Sequence, residues 1–206
     1  MPRNVKQIIA ILGSLALLVA LVYGSYLPMR KAQKFLTETR SRESFKSIEE
    51  LRETFLSVLQ FYAPIGQEEL VRNTANSILT MVQRSEPAAI KDLMTLIEEM
   101  YTPILSRGKG MSFGQNLYLM GFMNEIAHIR TKEPQYLQAA RKYFLLALER
   151  GPRRPQALYG LLDIARFENN PTAYLAVAEQ ILSQWPTDEK VRASYEDIKR
   201  QLTKKR

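Results

Sequence analysis

Hydrophobic positions are arranged in three ways along this chain, and each arrangement predicts a different element. From residue 8 to 27, in IIAILGSLALLVALVYGSYL, they run almost unbroken, and no charged residue lies between Lys6 and Arg30. About 20 such residues suffice to cross a bilayer as a helix. Residues 31–46 are instead polar and basic, and predict a helical extension or stalk past Pro28. From residue 47 the apolar positions recur at helical spacing. Leu51, Phe55, Val58, Leu59 and Tyr62 share one face of a predicted helix over 47–62, which Ser47 and Glu50 open at capping-box spacing. No alternating pattern of useful length argues for a strand. The fold class predicted is all-α, with one N-terminal transmembrane helix over 1–30, the stalk, and then an array of α-helical hairpins.

The breaks between helices follow from local chemistry. APIG (63–66) interrupts by its proline and glycine, and a helix resumes with acidic residues in its first turn. Pro87 suits a first helical position, while Pro103 is expected to kink or end the same helix. Residues 47–106 therefore form a helical region of divergent, repeat-like character. SRGKGMSFG (106–114) reads as a loop between helices. Its three glycines lack the preceding strand and the Gly-Lys-Ser/Thr ending of a phosphate loop.

Residues 114–203 carry a period. Pro152 and Pro186 lie 34 residues apart, each closing an apolar helix, in LERGP and LSQWP. Ahead of the first, Ala140, Phe144 and Ala147 place small residues around one large ring, so that a neighbouring helix can approach closely. This spacing resembles tetratricopeptide repeats, which repeat a helix–turn–helix every 34 residues. Leu158 and Leu161 take the large first-helix positions of the following unit. That unit departs from the family pattern at Leu162, Ala165 and Tyr174. Leu117, Met120 and Gly121 match an earlier first helix, although Gly121 precedes Ala140 by about seven residues more than the repeat expects, close to two helical turns. Val191, Tyr195, Ile198 and Leu202 point inward from a closing helix whose outer face is charged, as a terminal cap requires.

The order of segments adds a second resemblance. A hydrophobic span, then YLPMRKA, a helix ending in FYAPIGQEELVRN, and YLQAARKYFLLALERGPRRPQALYGLLDIARF is similar to the carboxy-terminal part of O-antigen-ligase-family membrane proteins. There, a multi-span glycan-transferring body is followed by helical repeats. The resemblance implies a non-catalytic tail module that works beside a multi-span partner in envelope glycan assembly. None of the family's catalytic positions has a counterpart here.

Composition narrows the chemistry. The chain has 206 residues, a net charge of +8, one histidine and no cysteine, which removes disulfides, thiolate metal sites and cysteine nucleophiles. His128 alone makes no metal site, Glu98 and Glu99 point in different directions on a helix, and no Gly-x-Ser-x-Gly elbow occurs. No catalytic residue, metal or cofactor is expected, and the chain is not read as an enzyme. Aromatics are not interleaved with the basic residues, which argues against nucleic acid. Arg30, Lys31 and Lys34 instead suggest attraction to anionic headgroups of a bilayer.

A binding face, if the repeats have one, comprises Tyr118, Phe122, Tyr159, Asp163 and Arg166 by the repeat register, a mixture suited to an extended peptide or partner helix. Arg150, Arg153 and Arg154 crowd one inter-repeat turn. In the span, Ala16, Ala20 and Gly24 lie at i, i+4 and i+8, a small-residue seam through which the anchor could pack on another helix or form a homo-oligomer. Sidedness follows the basic flanks. Arg3 and Lys6 precede the span, whereas Arg30, Lys31, Lys34, Arg40, Arg42 and Lys46 follow it, placing the repeats in the cytoplasm of a single-pass protein, taken here as bacterial inner membrane. Two other arrangements stay open. An uncleaved signal anchor would put the repeats outside, and cleavage after Gly24 would release an exported soluble protein.

Overall fold

A computed structural model describes residues 2–40, 45 and 47–204, and among these the protein is all-helical. Arg42, Lys46 and Arg206 lie outside the described residues, as does the Arg40 side chain. The chain divides into two compact units, Met1–Ile78 with Thr95–Gly108, and Leu79–Met94 with Lys109–Arg206.

The first unit begins with helix α1 (Arg3–Leu21), a π-helical turn (Val22–Tyr26) and α2 (Leu27–Arg40). They run as one helix from Arg3 to Thr39, the one described helix long and apolar enough to cross a membrane. No residue of α1 is buried within the chain. The π turn explains how the helix passes Pro28. Proline lacks an N–H and its ring would press on the carbonyl of Gly24; the Leu27 N–H instead reaches Val22 O, widening the turn just before the ring.

Helix α3 (Ile48–Leu59) starts as the capping pattern requires, with the Ser47 Oγ accepting from the Glu50 N–H at 3.1 Å. Its buried face carries Leu51, Phe55, Val58 and Leu59. Phe35 of α2 and Phe45 pack on Phe55 with ring centroids 6.3 and 5.8 Å away. Tyr62 differs from expectation. The helix ends at Leu59, so Tyr62 lies in the following turn, 65% exposed, edge-on to Tyr23 of the π turn at 6.5 Å.

Lys31 also departs from its expected role. It is 2% exposed, and its Nζ donates to Leu59 O at 3.0 Å, to Phe61 O at 2.7 Å and to Gln67 Oε1. Lys34 Nζ donates to Ser57 O at 2.8 Å. Both ammonium groups therefore serve the carbonyl-rich end of α3, where the helix dipole favours positive charge. Arg30 is the member of that cluster left exposed.

Helix α4 (Gln67–Arg84) contributes Val71, Ala75 and Ile78 to this unit's core, and α5 (Pro87–Arg107) contributes Leu96, Ile97, Met100, Tyr101 and Ile104. Arg52 and Glu99 pair at 2.7 Å across α3 and α5. Pro87 opens α5 as expected. Pro103 does not end it: the helix continues to Arg107, with Ile104, 1% exposed, holding the turn beyond the lost hydrogen bond.

In the second unit α6 (Phe113–Thr131), α7 (Pro134–Arg150), α8 (Pro155–Phe167), α9 (Pro171–Gln184) and α10 (Glu189–Lys204) pack each on the next, and α6 also reaches α8. Prolines open α7, α8 and α9 at a position where no N–H is needed. The turn before α9 is closed by Asn169 at φ 49° and by Asn170, whose side chain accepts from the Ala173 N–H at 3.0 Å. Leu158, Leu162, Ala165, Tyr174, Ala178, Ile181 and Val191 form a core cluster at this end, with Tyr195, Ile198 and Trp185 against it. Leu162 rather than Leu161 is the more buried partner of Leu158, because α8 turns its 158–162–165 face inward.

Candidate functional site

The α6–α7–α8 junction is built on one ring. Ala140, Phe144 and Ala147 are fully buried on α7. Phe144 lies between two helical glycines: a Cβ on Gly121 of α6 would come within 2.5 Å of its ring, and one on Gly160 of α8 within 2.3 Å. Glycine is tolerated in both helix interiors because the backbone must come this close. Tyr118 packs on the same ring at 6.1 Å and stacks on Phe122, also at 6.1 Å and nearly parallel.

This arrangement displays α6 and α8 side by side, and pairs four of the five predicted face residues, Tyr118 with Phe122 on α6 and Asp163 with Arg166 on α8. Tyr118 and Phe122 are half-buried. One turn further along α6 lies Glu125, which the sequence reading missed. It is 6% exposed and makes no hydrogen bond or ion pair among the described residues. Burial, with the Asp163 carboxylate next, pushes its pKa up to about 7. Burial and Glu125 in turn raise the Tyr118 phenol. Asp163 is also raised by burial, although Arg166 opposes this from 3.1 Å. Arg166 continues to the Tyr174 hydroxyl at 3.1 Å and lies over that ring. Tyr159, one turn before Asp163, is committed elsewhere: its hydroxyl donates to Asp188 in the turn before α10, and that bond holds the phenol at about 12.

Packing accounts for some of the remaining candidates. Arg150 lies over the Phe113 ring at 5.4 Å, and Arg154 packs against Gly114, leaving Arg153 as the exposed member of that turn. His128 Nδ1 meets Glu133 O at 2.9 Å, and its ring is edge-on to Phe167 at 5.6 Å. In the span, Ala16 and Ala20 are exposed on α1, while Gly24 falls inside the π turn, beyond the end of the regular i, i+4 register. Among the described residues no group of three His, Asp or Glu is placed to hold a metal ion. No family model, curated protein or solved structure matches the chain.

Glu125 gives the site a measurable pH signature. Its pKa lies above the ordinary 4.5, so between there and about 7 the folded chain keeps a proton that the unfolded chain has released. Stability therefore falls as pH rises through that window, by at most about 3 kcal/mol. Glu125→Gln removes the titration. Urea unfolding followed by Trp185 fluorescence is expected to show the variant gaining on the parent at pH 8 and matching it near pH 5. An equal difference at both values would mean that Glu125 titrates normally.

Proposed function

We propose that the protein is a single-pass membrane protein whose tetratricopeptide-like helical hairpins form a scaffold or adaptor, docking a segment of a partner protein at the membrane. The observation that carries this is the α6–α8 face. It combines a half-exposed aromatic pair, Tyr118 and Phe122, with a buried carboxyl group, Glu125, that has no hydrogen-bond or ion-pair partner among the described residues, beside the Asp163–Arg166 pair. Aromatic rings and convergent polar groups on rigid helices suit an extended peptide or a helix. An unpaired carboxylate in that position is a cost to the isolated fold, offset when a partner supplies its hydrogen bonds.

The membrane half of the reading rests on the exposed apolar helix Arg3–Thr39. The basic bias of its second flank favours a cytoplasmic side for the hairpins. Through the resemblance to O-antigen-ligase tails, the partner proposed is a multi-span protein of envelope glycan assembly. A photo-crosslinking amino acid at Phe122, in the full chain carrying a fluorescent reporter after residue 206, tests both halves in cells. The expected result is a fluorescent fusion and a discrete crosslinked species, absent when the crosslinker stands at exposed Leu145 of α7. Identical products from both positions would overturn the docking face, and a dark but intact fusion would overturn the cytoplasmic assignment.

A further inference from the structure

The turn between α3 and α4 is a short loop with an unusual surface. Residues 60–66, QFYAPIG, contain no charge, and Tyr62 and Ile65 are 65% and 59% exposed. Its place is set twice against the long N-terminal helix. Lys31 Nζ donates to Leu59 O and Phe61 O at its base, and Tyr62 meets the Tyr23 ring edge-on at 6.5 Å. Tyr23 is eight residues before Lys31, about 12 Å further along the helix axis toward the apolar run. The loop therefore turns back along the helix and stops beside a residue inside the 8–27 span.

From this geometry we infer that the Tyr62–Ile65 loop is a second membrane contact, seated in the lipid interface next to the span. The inference rests on the reading that the helix crosses a bilayer. Given that, Tyr23 occupies the interfacial level that tyrosine favours, and Tyr62, in contact with it, shares that level. Exposed apolar side chains on an uncharged loop are costly in water and gain free energy where lipid covers them. Arg30, exposed beside the same end of the span, adds a basic group at headgroup level. The loop and the helix would thus fix the orientation of the first unit on the membrane, which a single span joined by a loose stalk would leave free.

The chain has no cysteine, so single-cysteine spin labels report depth directly. Ile65→Cys, Leu15→Cys and Glu53→Cys are placed in the loop, in the span and on the exposed side of α3. Each is labelled in the full chain, in nanodiscs of phosphatidylcholine and phosphatidylglycerol. Collision with oxygen, which concentrates in lipid, is compared with collision with a water-soluble nickel chelate. The oxygen-to-nickel ratio at residue 65 is expected to exceed that at residue 53 several-fold and to approach that at residue 15. A residue 65 that matches residue 53 while residue 15 reads as embedded would overturn the loop contact and leave the span standing. An aqueous reading at residue 15 would overturn both.

Discussion

Replacing Gly160 with alanine is expected to destabilise the second unit by about 2 kcal/mol net, although alanine is the better helix former by about 1 kcal/mol. The reason is steric. The added Cβ would stand 2.3 Å from Cε2 of Phe144, and the ring cannot withdraw, because Gly121 presses on its other edge with a corresponding distance of 2.5 Å. Overpacking of a core at this level costs about 1–3 kcal/mol or more, and here the helix gain is too small to offset it. Gly121→Ala is expected to behave alike. The decisive measurement is a double-mutant cycle. Phe144→Leu on its own leaves a cavity and destabilises by about 1–3 kcal/mol. Combined with Gly160→Ala, it gives the new methyl somewhere to go, so the double variant should be more stable than the sum of the single effects by over about 1 kcal/mol. Urea unfolding read by Trp185, which packs on the α8–α10 core, supplies the free energies. A neutral or stabilising Gly160→Ala would mean that α8 does not pack on the ring as closely as described.

That junction also shows what the amino-acid sequence discloses and what it hides. Ala140, Phe144 and Ala147 were legible because their spacing is unusual: two small residues around one large ring on the same helical face. Gly121 was legible as a small position, but Gly160 was passed over, because the 34-residue spacing from Pro152 to Pro186 directs attention to Leu158 and Leu161. The missed signal was energetic. A glycine in the middle of an apolar helix costs stability unless the backbone is closely approached, and Gly160 had no other explanation. Glu125 was invisible for the opposite reason. A glutamate in a helix reads as solvated, and only the turn of α6 against α8 removes it from water beside Asp163. The helical class, the apolar span and the Ser47 cap depend on near neighbours in the chain, so they could be read directly. The Asp163 carboxylate beside Glu125 and the partners of Lys31 come from residues about 30 or more positions away, and nothing local specifies them.

Lys31 is the clearest such case, and Lys31→Met is expected to loosen the first unit sharply. Read in sequence, a lysine four residues past an apolar span belongs to the headgroups. In the structure it is buried and donates to Leu59 O, Phe61 O and Gln67 Oε1, with no carboxylate among these partners. Two opposing effects must be weighed. Removing a buried charge relieves its desolvation, which by itself would favour methionine. Against this, methionine has no donor, so these oxygens lose charge-assisted bonds worth about 1.5–3 kcal/mol each, and the Leu59 carbonyl, whose bond is buried, is left without a replacement donor. With the buried Leu59 carbonyl orphaned and two part-buried oxygens losing a charged donor, the second effect wins, by about 3 kcal/mol. Lys34→Met supplies the control, since its single bond to Ser57 O is exposed and should be worth under about 1 kcal/mol. Hydrogen exchange on the full chain in detergent locates the effect. The Leu70 amide, bonded to Gly66 O at the start of α4, and the amides of the last turn of α3 should exchange about 100-fold faster in Lys31→Met, the equivalent of about 3 kcal/mol. Amides of α7 and α8 should be unchanged. If protection around residues 56–70 survives the substitution, the lysine is a bystander, and α2 is held against α3 by the Phe35–Phe55 contact and the Lys34 bond to Ser57 O without it.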